Sequence, residues 1–99
     1  MPRMVKVGKW NVKKSTLEEY IKLHKLAQDY WYGRKTTPSG TIAERINEGS
    51  KYISKAGDLR RETSNMLGIK PDYFNNESDY EKFKLAFSIK TELMENGRE

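Results

Sequence analysis

The chain has no cysteine, so disulfide bonds, thiolate nucleophiles and cysteine-ligated zinc are excluded. It has one histidine, His24, among the apolar residues of a predicted helix, where a histidine is more often a packed core residue than a base. No group of histidines and carboxylates has the spacing of a metal site. We therefore predict no catalytic residue, no metal and no cofactor, and interpret the protein as a non-enzyme.

Long apolar runs are also missing. No stretch approaches the roughly 18 residues that span a membrane. Residues 1–6 are charged but have no apolar segment of the kind found in secretion signals. These absences predict a cytoplasmic protein without a membrane partner, in the host cytoplasm if the chain is viral.

The chain is rich in charge and in aromatic rings. Charged residues make up 33% of its 99 residues and aromatic residues 11%, which suits one small folded domain over residues 1–99. The net charge is +5 and is uneven: residues 1–36 hold nine basic and three acidic residues, whereas residues 69–99 hold five basic and seven acidic ones. A basic first third suits a polyanionic partner, although solubilising lysines explain the charge equally well.

Local signals predict the helices. Three capping boxes, in which a serine or threonine precedes a glutamate by three positions, are Ser15–Glu18, Thr41–Glu44 and Ser78–Glu81. With glycines as stops, the pattern predicts helices near residues 16–32, 42–48, 51–56, 59–67 and 79–95. We expect a mainly α fold, a small single-domain bundle of four or five helices, with Trp31 buried in the central one.

Residues 1–14 differ from this pattern. Val5 and Val7 alternate with polar residues, Gly8 interrupts, and Trp10 and Val12 resume the alternation. This predicts either a short strand with a bulge or a basic extended arm packed by Trp10.

Residues 39–56 carry the clearest functional pattern. Two short helices can lock across a turn at Gly49 through small and apolar residues, which are Ile42, Ala43, Ile46, Ile53 and Ala56. The segment resembles the helix-turn-helix of phage repressor and Cro-type DNA-binding proteins, and residues 52–56 resemble their recognition helix. The resemblance implies that the second helix enters the major groove. The other interpretation is two unrelated helices joined at a glycine.

The resemblance implies which side chains contact nucleic acid. The groove-facing residues are Ser50, Lys51, Ser54 and Lys55. Basic residues outside this segment are predicted to contact phosphates: Lys6, Lys9, Lys13, Lys14, Arg34 and Lys35. We thus predict a small nucleic-acid-binding regulatory protein with duplex DNA as its favoured ligand, and a homodimer is one arrangement open to it.

Three consecutive aromatic residues, Tyr30, Trp31 and Tyr32, support a different class of function. Successive helical residues are rotated by about 100°, so at least one of the rings is expected to be exposed. The alternative prediction is a small phage- or virus-encoded module that inhibits or recruits a host protein through exposed aromatics. The sequence leaves both functions open.

Overall fold

A computed structural model describes residues 2–97 of the protein. Two strands, β1 (Met4–Val7) and β2 (Trp10–Lys13), precede three helices, α1 (Lys14–Trp31), α2 (Ile42–Met66) and α3 (Asp79–Glu95). The prediction of a mainly helical fold is confirmed, but the predicted number of four or five helices is wrong. None of the helices within residues 2–97 is long and apolar enough to cross a membrane.

The N-terminal segment is an antiparallel β-hairpin. Val5 pairs with Val12 and Val7 with Trp10 across a two-residue loop, Gly8-Lys9. Gly8 has a φ of +59°, and a positive φ at the first loop position is what a type II′ hairpin turn needs. Gly8 therefore reverses the chain, whereas a bulge or an extended arm was expected there.

Helix α1 begins directly after β2, without a side-chain cap. The N–H of Lys14 donates to the carbonyl of Arg3 at 2.8 Å, which extends the hairpin hydrogen bonds into the first residue of the helix. The predicted capping box at Ser15 is therefore wrong, because α1 already begins at Lys14 and Ser15 lies inside its first turn.

The other two capping boxes are confirmed. The hydroxyl of Thr41 accepts a hydrogen bond from the N–H of Glu44 at 3.3 Å, and the hydroxyl of Ser78 accepts one from the N–H of Glu81 at 3.3 Å. Each satisfies one of the free N–H groups of a helix start, so α2 and α3 begin one residue after their caps.

Helix α2 is one continuous helix of 25 residues, where three short helices were predicted. The predicted breaks at Gly49 and Gly57 are both wrong. Gly49 is buried in the interface with α1, and a Cβ atom there would overlap the indole of Trp31 and lie 2.9 Å from the carbonyl oxygen of Ala27. Gly49 therefore allows two helices to approach closely and does not end one.

Helix α1 lies between α2 and the rest of the protein. Small residues, Ala27 of α1 with Gly49 and Ala56 of α2, are buried on the α2 side. On its other side, α1 contributes Leu17 and Tyr20 to a core shared with the hairpin and α3. The rings there meet edge to face, with centroids 5.5 Å apart for Trp10–Phe83 and 4.8 Å apart for Tyr20–Phe87. The hairpin is thus fixed to the helices by its inner face.

Candidate nucleic-acid interface

The predicted recognition helix lies in the middle of α2. A helix-turn-helix needs two helices that cross, but residues 42–56 share one axis, so the predicted turn at Gly49 is absent. Ile42 and Ile46 were expected to be buried under the second helix, yet they are 66% and 49% exposed. The arrangement that the resemblance implied is not present in residues 39–56.

Three of the four side chains predicted to face the groove interact with other residues of α2. Lys51 pairs with Glu48 at 3.2 Å, and the Ser50 hydroxyl donates to the carbonyl of Ile46 at 2.8 Å. The ammonium of Lys55 lies 5.5 Å from the ring centroid of Tyr52. Ser54 is exposed. Lys51 and Lys55 do lie on the surface, but an acidic side chain accompanies Lys51, so this face has mixed charge.

The predicted phosphate contacts do not lie on one surface. Lys14 starts α1, and Arg34 and Lys35 follow its end, while 18 helical residues span about 27 Å. Arg34 is also bound to Asp29 at 2.7 Å, and its guanidinium lies 5.7 Å from the Tyr32 ring centroid. The basic residues of the hairpin and those of the α1–α2 loop are therefore separate groups.

The hairpin brings several polar side chains to one face. Strand alternation turns Val5, Val7, Trp10 and Val12 inward, so the other strand residues form an exposed outer face, which consists of Met4, Lys6, Asn11 and Lys13. Lys6 lies opposite Asn11, and Met4 lies opposite Lys13. Among residues 2–97, neither Lys6 nor Lys13 has an ion-pair partner. The outer face therefore carries two lysines without an ion-pair partner in residues 2–97, on either side of the side-chain amide of Asn11.

Lys9 has a different role from Lys6 and Lys13. At the hairpin turn, its ammonium lies 3.2 Å from the carboxylate of Asp79, the first residue of α3, and 5.1 Å from the ring centroid of Trp10. Both partners of this ion pair are largely exposed, so it adds little stability. Its positive charge is nevertheless already partly neutralised, which makes Lys9 a weaker candidate for a phosphate contact.

An apolar groove of about 150 Å³ adjoins the outer face. Met4, Val12 and Thr16 lie on one side of it, and the C-terminal end of α2 contributes Thr63 and Met66 on the other. Asn11 and Lys13 line the same groove. The polar side chains of the outer face thus border a recess whose lining is mostly apolar.

His24 lies in a cleft between α1 and α3, where its ring stacks on Tyr20 with centroids 6.0 Å apart. It is half-buried. Within residues 2–97, no group of three or more histidines, aspartates and glutamates is placed to hold a metal ion. The stacking on Tyr20 gives His24 a packing contact within this cleft.

A second exposed surface lies where α1 ends and α2 begins. We call it the aromatic end, and it consists of Trp31, Tyr32, Ile42 and Ile46. Trp31 was predicted to be buried but is 37% exposed, and its indole N–H donates to the carbonyl of Ile46 at 3.2 Å. Tryptophan, tyrosine and arginine are enriched in protein-binding hot spots, and Arg34 lies beside Tyr32 here.

Tyr30, the first of the three consecutive aromatic residues, faces inward. Its ring stacks on Tyr52 with centroids 5.8 Å apart and an angle of 11° between the planes. Burial raises the pKa of Tyr30, and the neighbouring Tyr52 and Glu48 raise it further. Tyr30 therefore helps to join α1 to α2, and the exposed surface belongs to Trp31 and Tyr32.

Asn11 is the functional candidate that the sequence did not single out. Reading Gly8-Lys9 as a two-residue hairpin loop would have placed Lys6, Asn11 and Lys13 on one face by parity alone. The sequence therefore contains the information that places Asn11 on this face, but only if Gly8 is interpreted as part of a turn and not of a bulge.

No protein-family model matches the sequence, and neither a curated protein nor a solved structure shows significant similarity to it. The outer face and the aromatic end are therefore the surfaces whose geometry bears on function.

Proposed function

We propose that the protein is a small regulatory protein that binds duplex DNA through the outer face of its β-hairpin. The observation that carries this proposal is the exposed set Lys6, Asn11 and Lys13, in which neither lysine is neutralised by a carboxylate of residues 2–97. A two-stranded β-ribbon fits the major groove of B-DNA. Duplex DNA is also the ligand predicted from the sequence, but the proposed contact lies in the hairpin and not in residues 50–55.

The side chains of the outer face have the chemistry for both tasks of a DNA-binding surface. An asparagine can bond to adenine through two hydrogen bonds, and a lysine can donate to guanine or neutralise a phosphate. Asn11 and Lys13 are two residues apart on β2, about 6.8 Å along the strand, which corresponds to about two base-pair steps. The two side chains could therefore reach different base pairs of one site.

The charge distribution also favours DNA binding by the N-terminal part of the chain, which contains the hairpin. Residues 1–36 carry a net charge of +6, from nine basic and three acidic residues, out of a total of +5. Such an imbalance steers a protein toward a polyanion and makes the affinity depend on salt. Lys14, which starts α1 next to the hairpin, adds to this basic end.

Paired alanine substitutions test the proposal. Lys6→Ala with Lys13→Ala should weaken binding to a labelled duplex, measured by fluorescence anisotropy at several salt concentrations. Each lysine that neutralises a phosphate contributes about 0.9 to the slope of log affinity against log salt, so the slope should fall by about 1.8 if both do and by about 0.9 if Lys13 contacts a base instead. Unfolding temperatures should change little, because surface substitutions usually stay within about 0.5 kcal/mol.

The matched control removes the same charge from another surface. Lys51→Ala with Lys55→Ala also lowers the net charge by two, and it should leave most of the affinity and the salt slope intact. Equal losses in the two double variants would mean that only net charge matters. A parent protein that does not bind DNA at low salt would contradict the proposal outright.

A second candidate function is a protein-binding module that uses the aromatic end. The exposure of Trp31 beside Ile42 and Ile46 favours it, since desolvated tryptophans dominate binding energies at interfaces. Tyr32→Ser with Ile42→Ser should then abolish a complex that persists at high salt, measured by pull-down from cells that carry the gene. DNA binding by this variant should be unchanged if the two surfaces act separately.

A further inference from the structure

Helix α3 is apolar on two opposite sides. Its inner side places Tyr80, Phe83 and Phe87 in the core. Its outer side carries Leu85, Ile89 and Leu93, which are 64%, 50% and 38% exposed. We call these three residues the α3 stripe. They are spaced four apart, so they form one continuous row along the helix.

The α3 stripe has opposite charges at its two ends. At 100° per residue, Lys82 lies about 20° and Glu92 about 60° from the direction of Ile89, so both border the stripe. Lys82 belongs to its N-terminal end and Glu92 to its C-terminal end, and both are exposed. Within residues 2–97, neither of them forms an ion pair.

We propose that the α3 stripe binds the same stripe of a second copy of this chain, with the two helices antiparallel about a two-fold axis at Ile89. Leu85 of each copy then faces Leu93 of the other. Lys82 of each copy comes within reach of Glu92 of the other. The dipoles of the two helices also point in opposite directions, which is electrostatically favourable. A parallel pair would instead bring the two Lys82 side chains together, which like-charge repulsion disfavours.

This arrangement closes on itself. Each copy offers the same patch, so a two-fold pair uses both stripes fully and leaves nothing for a third copy. Helix α3 has 17 residues and is about 25 Å long. Because each copy contributes only one face of this single helix, the area that it buries is smaller than the roughly 800 Å² per partner of a standard interface. The dimer is therefore a concentration-dependent one. It involves none of the outer-face residues of the hairpin, so it does not depend on the proposed function.

Sedimentation equilibrium of the full chain over a wide concentration range tests the dimer without DNA. The parent protein should show a monomer–dimer equilibrium, and Ile89→Lys should raise the dissociation constant by at least about tenfold, because it places two cations at the axis. Ser54→Lys, which adds the same charge at an exposed position of α2 outside both candidate surfaces, is the matched control and should dimerise like the parent. A monomeric parent at the highest concentration, or equal effects of the two variants, would overturn the proposal.

Charge exchange tests the antiparallel direction. Lys82→Glu and Glu92→Lys should each weaken the dimer, and the double exchange should restore it. The two residues are ten apart, about 15 Å along the helix, so they cannot pair within one chain. A double variant that dimerises no better than the single ones would rule out the antiparallel contact.

The absence of cysteine provides a direct cross-linking test. An Ile89→Cys variant has a single thiol, so mild oxidation should give a disulfide-linked dimer if Ile89 lies at the axis. Ser54→Cys, at an exposed position of α2, should remain monomeric under the same oxidation. Cross-linking of Ser54→Cys to the same extent would show that collisions, and not the α3 stripe, produce the dimer.

Discussion

Gly49 decides how closely α1 and α2 can approach. The space that a Cβ atom would need is occupied by the Trp31 indole and by the carbonyl oxygen of Ala27. The indole is at the surface and can move, but the carbonyl belongs to the backbone of α1. A residue that usually weakens or ends a helix therefore holds two helices together.

Gly49→Ala should destabilise the protein, although alanine favours a helix by about 1 kcal/mol over glycine. Forcing apart a packed helix pair costs about 1–3 kcal/mol, which outweighs that gain. Urea unfolding measures the change. Gly57→Ala is the control in the same helix: its nearest atom, of Arg61, would be 3.9 Å from the new Cβ, so the protein should gain up to about 1 kcal/mol. Changes of the same sign at both positions would contradict the role of Gly49.

At the scale of elements, the start of α2 is a small hydrogen-bonded unit. Thr41 caps the helix, and the hydroxyl of Ser39 accepts a hydrogen bond from the N–H of Thr41 at 3.3 Å. Hydrogen bonding from Ser39, and to a lesser degree from Thr37, lowers the pKa of the Glu44 carboxyl below its ordinary value of 4.5. An acidic side chain in the first turn is also favoured by the helix dipole.

Glu44 should make stability depend on acid pH. A lowered pKa in the folded state means that the unfolded chain binds the proton more readily, so the stabilisation is complete above about pH 4.5 and is lost as the pH falls through the lowered value. The difference in unfolding free energy between the parent and Glu44→Gln should be constant above about pH 5 and shrink below about pH 4. Urea unfolding at several pH values measures it.

Ser39→Ala provides the control for the same unit. It removes the largest of the interactions that lower the pKa of Glu44, while that with Thr37 remains, so it should reduce the acid dependence without abolishing it. A parent and a Glu44→Gln variant that keep the same difference down to strongly acid pH would contradict this assignment.

Whether an element could be predicted depended on how local its signals are. Helix α3 was predicted over residues 79–95 and spans Asp79–Glu95, because the Ser78 capping box lies next to it in the chain. Helix α2 was divided wrongly because the role of Gly49 is set by Trp31, 18 positions earlier. The hairpin was left ambiguous, since Gly8 suits a turn as well as a bulge and only strand pairing decides between them.

At the scale of the whole molecule, the candidate surfaces arise from packing between distant segments. Lys6, Lys13 and the exposed aromatics were identified from sequence as binding residues, and their binding remains a prediction. Which of them share a face could not be predicted, because this follows from the register of the hairpin and from the length of α1. Lys51 and Lys55 occupy one helix face as their spacing required, but the ion pair with Glu48 was not taken into account.

A nuclear magnetic resonance titration of the ¹⁵N-labelled protein with duplex DNA tests directly whether the outer face of the hairpin binds DNA. Binding through the outer face predicts the largest amide shifts in residues 4–13, together with a shift of the Asn11 side-chain amide, and only small shifts in residues 50–55. Large shifts concentrated in residues 50–55 with an unperturbed hairpin, or no shifts at low salt, would contradict it.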